Sequence, residues 1–320
     1  MANVLKDNSL PLESVIVAPA PIQISRRERW LADGSLLLTT ILWGINIPVV
    51  KFATIDIDPI VFNAMRVALS TIVLALFALV ESRWIEQPAA RLSTRRFIIF
   101  ALLSGFVYPL VFMFGIDNTT AGNTALLLSS MPLWTALISA VFIRERLPML
   151  SWIAMMITFL GTGVIVAAGG KVSLSAEDFT GNILILLSAM LWASSTVMSG
   201  PLLKQMTPLR LAFLSSLLTT PLHLMLVSQS LPEALPKLVQ WHNLAALLYS
   251  GIFSTGIAYV TWHMGVRRLG GSHASVYQNV VTLIAVLGGW LVLGEPLLAS
   301  QLIGGLLMII GLLLIRHSRR

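Results

Sequence analysis

The sequence predicts an all-α integral membrane protein of ten transmembrane helices, arranged as two inverted repeats of five helices. Three observations support this fold: an apolar composition, a one-sided distribution of basic residues and an internal repeat. Hydrophobic residues make up 56% of the 320 residues, charged residues make up 11%, and the mean hydropathy is +0.85. A soluble domain normally carries charge on roughly a quarter of its residues, so lipid must be the solvent for most of this chain.

Ten apolar runs of transmembrane length can be marked along the chain, and only short connections separate them. Because ten spans of about 20 residues already use about 200 residues, the remainder is too short for a second soluble domain. Residues 1–33 hold several prolines and no apolar h-region of a signal peptide, so they are predicted to form a disordered cytoplasmic tail. The predicted spans are about 34–53, 59–81, 96–116, 122–143, 149–168, 180–200, 208–228, 242–265, 271–293 and 298–315.

The basic residues predict the orientation of these spans. With a cytoplasmic N-terminus, 17 of the 21 Lys and Arg residues fall on the cytoplasmic side, three fall outside and Arg66 lies within a span. Cytoplasmic loops carry an excess of Lys and Arg, so both termini are predicted to be cytoplasmic in a multi-pass protein of the cell (inner) membrane. Since these charges lie at the ends of apolar runs, the net charge of +7 indicates orientation and not a nucleic-acid-binding face.

The chain also repeats itself at a nearly constant distance. Matching pairs at an offset of 149 or 150 are Trp43 and Trp192, Pro59 and Pro208, Gly115 and Gly265, Glu145 and Glu295, and Gly161 and Gly311. These matches divide the chain into a first five-helix repeat at 34–168 and a second at 180–316. Because five is odd, the second repeat must enter the membrane upside down relative to the first, an arrangement typical of secondary transporters.

Several function classes lack their characteristic residues in this sequence. The chain has no cysteine, its histidines lack a spacing such as His-x3-His that would hold a metal ion, and no Gly-Lys-Ser/Thr phosphate loop is present. An enzyme, a cofactor and an ATP-driven pump are therefore not expected. A channel or a scaffold protein stays open as an alternative, although neither requires two inverted halves.

Aromatic and polar residues in the middle of predicted spans are candidates for a small-molecule substrate site. Tyr and Trp normally collect at the membrane interfaces, whereas Trp43 and Trp192 lie about ten residues into their spans, near the midplane. A central cavity explains such residues, and packing between helices is the alternative. The predicted substrate-binding residues are Trp43, Asn46, Tyr108, Trp192, Ser195, Tyr259, His263 and Tyr277.

Other residues inside or between the spans have competing interpretations. Arg66 could anchor a substrate carboxylate or form a charged gate. The favoured alternative is structural: the side chain extends to the outer interface or bonds to carbonyl groups of a neighbouring helix. Glu145 and Glu295, at matching turns, are predicted to be solvated or to cap the next helix. The last helix of each repeat carries glycines that predict close packing, either in a scaffold or at the face of a homodimer: Gly161, Gly163, Gly304 and Gly305.

These features resemble a known family of membrane proteins. Each half opens with an apolar helix bearing Leu-Trp, Pro59 is followed after six residues by Arg66, and Glu145 and Glu295 each precede a glycine-bearing last helix. Over residues 34–316 the chain resembles the ten-helix EamA-type branch of the drug/metabolite transporter superfamily. Its Trp-bearing cavity helices resemble those of the aromatic amino acid exporters, and the resemblance implies export by alternating access.

The predicted cavity has aromatic faces, hydroxyls and amides, and no acidic residue lies inside a predicted span away from its ends. Such a cavity suits neutral or zwitterionic metabolites. Amino acids are the expected substrates, and aromatic amino acids come first among them. The alternative is a multidrug efflux carrier for lipophilic cations, for which an acidic residue in mid-membrane is expected. The predicted partners are therefore a small-molecule substrate and the lipid bilayer.

Overall fold

The computed structural model describes residues 25–84, 93–119, 121–168, 179–293 and 299–318, which fold into helices joined by turns. Two π-helical segments interrupt this pattern: the first π segment is Leu103–Val107 and the second π segment is Tyr249–Ile257. In chain order the α-helices are α1 (Arg26–Ala53), α2 (Pro59–Trp84), α3 (Thr94–Leu102), α4 (Tyr108–Asp117), α5 (Ala121–Leu128), α6 (Met131–Phe142), α7 (Met149–Ala168), α8 (Phe179–Leu203), α9 (Pro208–Leu226), α10 (Leu231–Leu238), α11 (Trp241–Leu248), α12 (Ala258–Leu269), α13 (Gly271–Val276), α14 (Gln278–Leu293) and α15 (Ala299–His317).

Within the described residues, six helical segments are long and apolar enough to cross a membrane. They are Arg26–Val50, Pro59–Arg83, Thr94–Gly115, Phe179–Leu203, Pro208–Leu226 and Trp241–Leu269. Shorter apolar helices cover Leu126–Phe142, Met149–Val164 and Leu302–Ile315. The predicted all-α membrane fold is confirmed, and the count of ten spans stays a prediction.

Helix α1 begins at Arg26, earlier than the predicted start at residue 34. Ser25 and Glu28 form a capping box, in which the Glu28 N–H donates to the Ser25 hydroxyl at 3.2 Å and the Ser25 N–H donates to the Glu28 carboxylate at 3.1 Å. The helix therefore includes Asp33, which is only 5% exposed inside the candidate span Arg26–Val50. Helix α1 thus extends beyond the apolar run and carries a buried acidic residue seven positions after its start. The absence of an acidic residue from mid-membrane stays a prediction.

The first π segment leaves one backbone carbonyl without its usual helical partner. The Tyr108 N–H donates to the carbonyl of Leu103, five residues earlier. Pro109 has no N–H and cannot bond to the carbonyl of Gly105, four residues before it. Instead, His223 Nε2 of α9 lies 2.7 Å from the Gly105 oxygen and must donate to it, since a carbonyl only accepts. A side chain of the second half thus completes the hydrogen bonding of a helix in the first half.

The second π segment has the reciprocal arrangement. The Ala258 N–H donates to the carbonyl of Phe253, five residues earlier. The carbonyl of Ser254 accepts a hydrogen bond from Trp43 Nε1 of α1 at 3.0 Å. Here a side chain of the first half bonds to a π segment of the second half.

The two halves of the chain are intertwined in a two-fold pattern. Helix α1 packs against α12 and α14, and α8, the first helix of the second half, packs against α4 and α6. Thr71 of α2 and Thr220 of α9, 149 positions apart, share a hydrogen bond of 2.7 Å between their hydroxyls. Residues at matching positions therefore meet where the halves contact each other.

Glycines bring the last helices of the two halves into close contact. A Cβ atom on Gly161 of α7 would lie 2.7 Å from the Gly304 carbonyl oxygen, and one on Gly311 of α15 would lie 2.8 Å from the Ala154 carbonyl oxygen. A Cβ atom on Gly163 would meet its nearest neighbour only at 3.8 Å. These faces of α7 and α15 are covered within one chain, which fits the scaffold interpretation, and the homodimer stays a prediction.

Carboxylates also join the two halves near helix ends. The Ser272 hydroxyl of α13 donates to Glu145 Oε2 at 2.7 Å, and the Thr207 hydroxyl, at the N-cap of α9, donates to Glu81 Oε2 at 2.7 Å. Glu145 thus bonds across the two halves, whereas Glu295 lies outside the described residues.

Candidate functional site

Aromatic side chains from both halves meet around Trp192 inside the helix bundle. The Trp43 and Trp192 rings contact each other edge to face with their centroids 5.4 Å apart. The ring centroids of Tyr108, Tyr259 and Trp262 lie 4.9, 5.8 and 5.9 Å from that of Trp192. These separations are those of favourable aromatic pairs, about 4.5–7 Å. The five side chains are called the aromatic cluster below.

The π segments position two members of the aromatic cluster. Tyr108 is the first residue of α4, directly after the first π segment, and Tyr259 is the second residue of α12, directly after the second π segment. A π-helical turn bonds five residues back instead of four, and such turns occur frequently at functional sites. The tyrosines therefore enter the aromatic cluster from equivalent places in the two halves.

A small cavity of about 10 Å³, enough for roughly one water molecule, lies beside the aromatic cluster. Ordinary ligand sites enclose about 300–1,000 Å³, so the aromatic rings leave little room for a solute in this conformation. The residues that line the cavity are Phe100, Ser104, Trp192, Ser195, Thr196, Tyr259, Trp262 and His263.

Three buried polar atoms of the cavity residues have no hydrogen-bond partner within the described part of the chain. They are Trp192 Nε1, Thr196 Oγ1 and His263 Nδ1. In contrast, the Ser195 hydroxyl donates to the Trp192 carbonyl at 2.8 Å. Since buried polar groups are normally satisfied, a solute or water that reaches these atoms would gain hydrogen bonds. The site therefore combines aromatic faces with a few unpaired polar groups.

The structure brings most of the predicted substrate-binding residues together. Trp192, Ser195, Tyr259 and His263 line the cavity. Trp43 and Tyr108 do not line it, but their rings contact Trp192. Whether these residues bind substrate stays a prediction.

Asn46 and Tyr277 lie apart from the cavity. Asn46 is on α1, one turn beyond Trp43, and its buried Oδ1 has no partner among the described residues. The Tyr277 hydroxyl donates to Asp33 Oδ1 at 2.7 Å and so joins the break between α13 and α14 to α1. The structure gives Tyr277 a contact between helices, whereas the sequence predicted a contact with substrate.

Cavity residues that the sequence did not predict are Phe100, Ser104, Thr196 and Trp262. Phe100 and Ser104 are four positions apart in the third predicted span and share a helix face. That spacing is available in the sequence, but Phe and Ser are too common in apolar helices to single out a site. Trp262 lies three positions after Tyr259, so these two residues also share a helix face. Two aromatic residues at that spacing indicate a site more strongly than Phe and Ser do.

Arg66 of α2 is partly buried within the candidate span Pro59–Arg83. Its Nε and Nη2 atoms both donate to Asn63 Oδ1, at 3.0 and 2.8 Å. The guanidinium is near enough to the phenols of Tyr108 and Tyr259 to interact with them electrostatically. The sequence predicted bonds to carbonyl groups of a neighbouring helix, whereas the hydrogen bonds of Arg66 in the described structure go to a side chain of its own helix.

The side chains at this site can recognise a solute. Across the described residues, no three His, Asp or Glu side chains come together as a metal ion would require. Aromatic faces bind planar apolar groups, and the unpaired indole, hydroxyl and imidazole atoms can hydrogen-bond to a polar group.

The model of the EamA-like transporter family matches this chain twice, at residues 30–167 and 179–316. A probable terminal-alkyne amino-acid exporter of Streptantibioticus cattleyicolor is 24% identical over 292 residues, which are 89% of this chain and 93% of that protein. An uncharacterized transporter, YoaV, of Bacillus subtilis is 23% identical over 279 residues, which are 87% of this chain and 94% of that protein. One solved crystal structure has the same fold, with a TM-score of 0.76 and 17% identity over 91% of this chain and 98% of its own.

Proposed function

Because this chain belongs to the EamA-like transporter family, we propose that it is a secondary carrier that exports small neutral or zwitterionic metabolites. Amino acids are the proposed substrates, and aromatic ones come first. The carrier works by alternating access, in which the substrate site opens to one side of the membrane and then to the other.

The contact between Trp43 and Trp192 is the observation that carries this proposal. The two residues come from matching positions of the two halves, so a solute held between or beside their rings touches both halves at once. A ligand shifts a conformational equilibrium only through contacts that differ between the two states. A site shared by both halves meets this requirement, because movement of one half against the other changes the site itself.

The chemistry of the cavity supports an aromatic solute. Stacking or edge contacts with the aromatic cluster contribute about 0.5–1.5 kcal/mol beyond simple burial. The unpaired atoms Trp192 Nε1, Thr196 Oγ1 and His263 Nδ1 supply hydrogen bonds for a polar group. Since the cavity is smaller than an ordinary ligand site, we infer that the described conformation is closed around the aromatic cluster and that substrate enters after the halves separate.

The homologous amino-acid exporter favours the same class of solute. The relative from Streptantibioticus cattleyicolor bears the name of a probable terminal-alkyne amino-acid exporter and matches this chain over most of its length. For orientation, the basic residues support cytoplasmic N- and C-termini in the cell membrane. The halves are then inverted relative to each other, as the reciprocal packing of α1 and α8 favours.

Counterflow in proteoliposomes tests this proposal. Purified protein is reconstituted into liposomes loaded with unlabelled L-phenylalanine, and uptake of labelled L-phenylalanine is followed without ATP. Saturable exchange that aromatic amino acids inhibit more strongly than a lipophilic cation, tetraphenylphosphonium, is the expected result. Uptake that does not saturate would indicate a pore, and preferred exchange of tetraphenylphosphonium would replace the proposal with multidrug efflux.

A further inference from the structure

Arg66 carries a charge inside the membrane that no carboxylate neutralises in the described structure. It lies seven residues from Pro59, about 10 Å along the helix from the start of α2. An ion pair joins His242 and Asp56, but no carboxylate of the described residues lies within ion-pair distance of Arg66. A charged side chain in a membrane span is rare and usually finds a partner, so the missing anion is the observation to explain.

The hydrogen bonds of Arg66 leave one edge of its guanidinium available. Nε and Nη2 both donate to the single oxygen Asn63 Oδ1, which occupies the edge formed by those two atoms. Arginine has five N–H donors in a planar fork. The Nη1 atom and the second N–H of Nη2 have no acceptor in the described part of the chain, and together they form the end of the fork that binds a carboxylate with two parallel bonds.

Two phenol groups lie near the same guanidinium. The backbone of Arg66 packs against the second π segment, where a Cβ atom on Gly251 would lie 3.1 Å from the Arg66 carbonyl oxygen. Charge interactions join the guanidinium to Tyr108 and Tyr259, and neither hydroxyl has a hydrogen-bond partner among the described residues. Both hydroxyls are donors that can point to an anion. Their rings meanwhile contact Trp192, at 4.9 and 5.8 Å between centroids. Donors for an anion and aromatic faces are therefore combined on the same two side chains.

We propose that Arg66, Tyr108 and Tyr259 bind the carboxylate of the transported solute, with the solute's apolar part on the aromatic cluster. This inference rests on the proposed function and adds the chemical class that the site selects: aromatic solutes with a free carboxylate. Tyr108 belongs to the first half and Tyr259 to the second, so the carboxylate bridges both halves when the site closes. The unpaired guanidinium repels cations, so this site disfavours the lipophilic cations that a multidrug carrier would bind.

A set of four related probes tests the carboxylate directly. L-Phenylalanine has both charged groups, 3-phenylpropanoate lacks the amine, L-phenylalaninamide has a blocked carboxyl group, and phenethylamine has no carboxyl group. Binding to the purified full-length protein is measured through its intrinsic tryptophan fluorescence. We expect the two carboxylates to bind at least about tenfold more tightly than the amide and the amine, because charge-assisted bidentate hydrogen bonds are roughly twice as strong as neutral ones.

Variants assign the preference to the three side chains. In Arg66→Gln the ratio of affinities for 3-phenylpropanoate and L-phenylalaninamide should fall to about one, while Arg66→Lys, which keeps the charge but not the fork, should retain part of it. Tyr108→Phe and Tyr259→Phe should each lower this ratio of affinities without weakening the binding of L-phenylalaninamide. Arg210→Gln, which removes an exposed arginine of α9, is the matched control and should leave the ratio unchanged.

Equal binding of the amide and the carboxylates by the unaltered protein would overturn this inference, and that result does not depend on any variant folding. If Arg66→Gln and Arg66→Lys weaken the binding of all four probes equally, the inference is also overturned, since that is the effect of a structural arginine. If L-phenylalanine exchanges in liposomes but the amide competes equally, the inference fails and the proposed function stands. If L-phenylalanine does not exchange while 3-phenylpropanoate still binds in preference to the amide, the proposed function fails and the carboxylate site stands.

Discussion

Trp43 and Trp192, which occupy matching positions in the two halves of the chain, contact each other edge to face at 5.4 Å between ring centroids. Trp43 uses its indole N–H to bond to the Ser254 carbonyl, whereas the buried Nε1 of Trp192 has no partner among the described residues. The two equivalent residues therefore have different roles: Trp43 joins the halves, and Trp192 presents an unpaired donor beside the cavity.

Substitution of Trp192 by Phe is predicted to weaken substrate binding without unfolding the protein. The ring contacts are largely kept and the lost N–H bonds to no described residue, so the melting temperature should change little. If the N–H donates to substrate, the half-saturation concentration for L-phenylalanine exchange should rise by about two- to tenfold, the effect of one net hydrogen bond. Trp134→Phe is the matched control, because Trp134 Nε1 already donates to Ser130 Oγ at the N-cap of α6 and Trp134 does not line the cavity. A fall in melting temperature with unchanged half-saturation in Trp192→Phe would remove Trp192 from the site.

The close packing of α7 and α15 predicts that two nearby glycines respond differently to the same substitution. Gly161→Ala should destabilise the protein by about 1–3 kcal/mol, because the new Cβ atom would lie 2.7 Å from the Gly304 carbonyl oxygen and the helices must separate. Gly163→Ala places its Cβ atom 3.8 Å from Leu126 and should have little effect. Melting temperature in detergent compares the two variants. Similar losses in both would show that α7 and α15 are not packed as described.

The bond between His223 and the first π segment predicts coupling to Pro109. His223→Leu leaves the Gly105 carbonyl without a donor and should cost about 1–3 kcal/mol, the penalty for a buried unsatisfied polar group. Pro109→Ala restores a backbone N–H four residues after Gly105, so the cost of His223→Leu should be smaller in that background. Unfolding of the single and double variants gives the coupling energy. Strict additivity would contradict the role assigned to His223.

The distribution of basic residues predicts the topology of the chain. Reporters fused after Arg320 and inserted between Arg83 and Arg95 should both report the cytoplasm, whereas a reporter between Lys171 and Asp178 should lie outside. An external C-terminus would make the number of spans odd and would contradict the inverted repeat.

Much of the fold follows from periodicity and repetition in the sequence. The offset that matches Trp43 to Trp192 also matches Thr71 to Thr220, and both pairs meet in the structure. The early start of α1 was also readable, because Ser25 followed at three residues by Glu28 is the signature of a capping box. An apolar-run criterion alone misses this start and leaves Asp33 outside the first predicted span.

The site was harder to predict because its parts are far apart in sequence. Pro109 indicates a disturbed helix but not that His223 supplies the missing hydrogen bond. Arg66 has no local feature that identifies Tyr108 and Tyr259 as its neighbours, since three separate helices bring them together. Tyr277 met every sequence criterion for a cavity residue, and only the packing of α1 against α14 shows that its hydroxyl bonds to Asp33.

The accessibility of Ser195 from the two sides of the membrane is a direct test of alternating access at this site. The chain has no cysteine, so Ser195→Cys introduces a single thiol into the cavity wall, where the native side chain is 3% exposed. Exposed Ser82→Cys and Ser228→Cys serve as controls that should react from one predicted side of the membrane each. A membrane-impermeant thiol reagent should label Ser195→Cys slowly from either side, and L-phenylalanine should slow labelling from both. Labelling from one side alone, or at a rate that L-phenylalanine does not change, would contradict alternating access at this site.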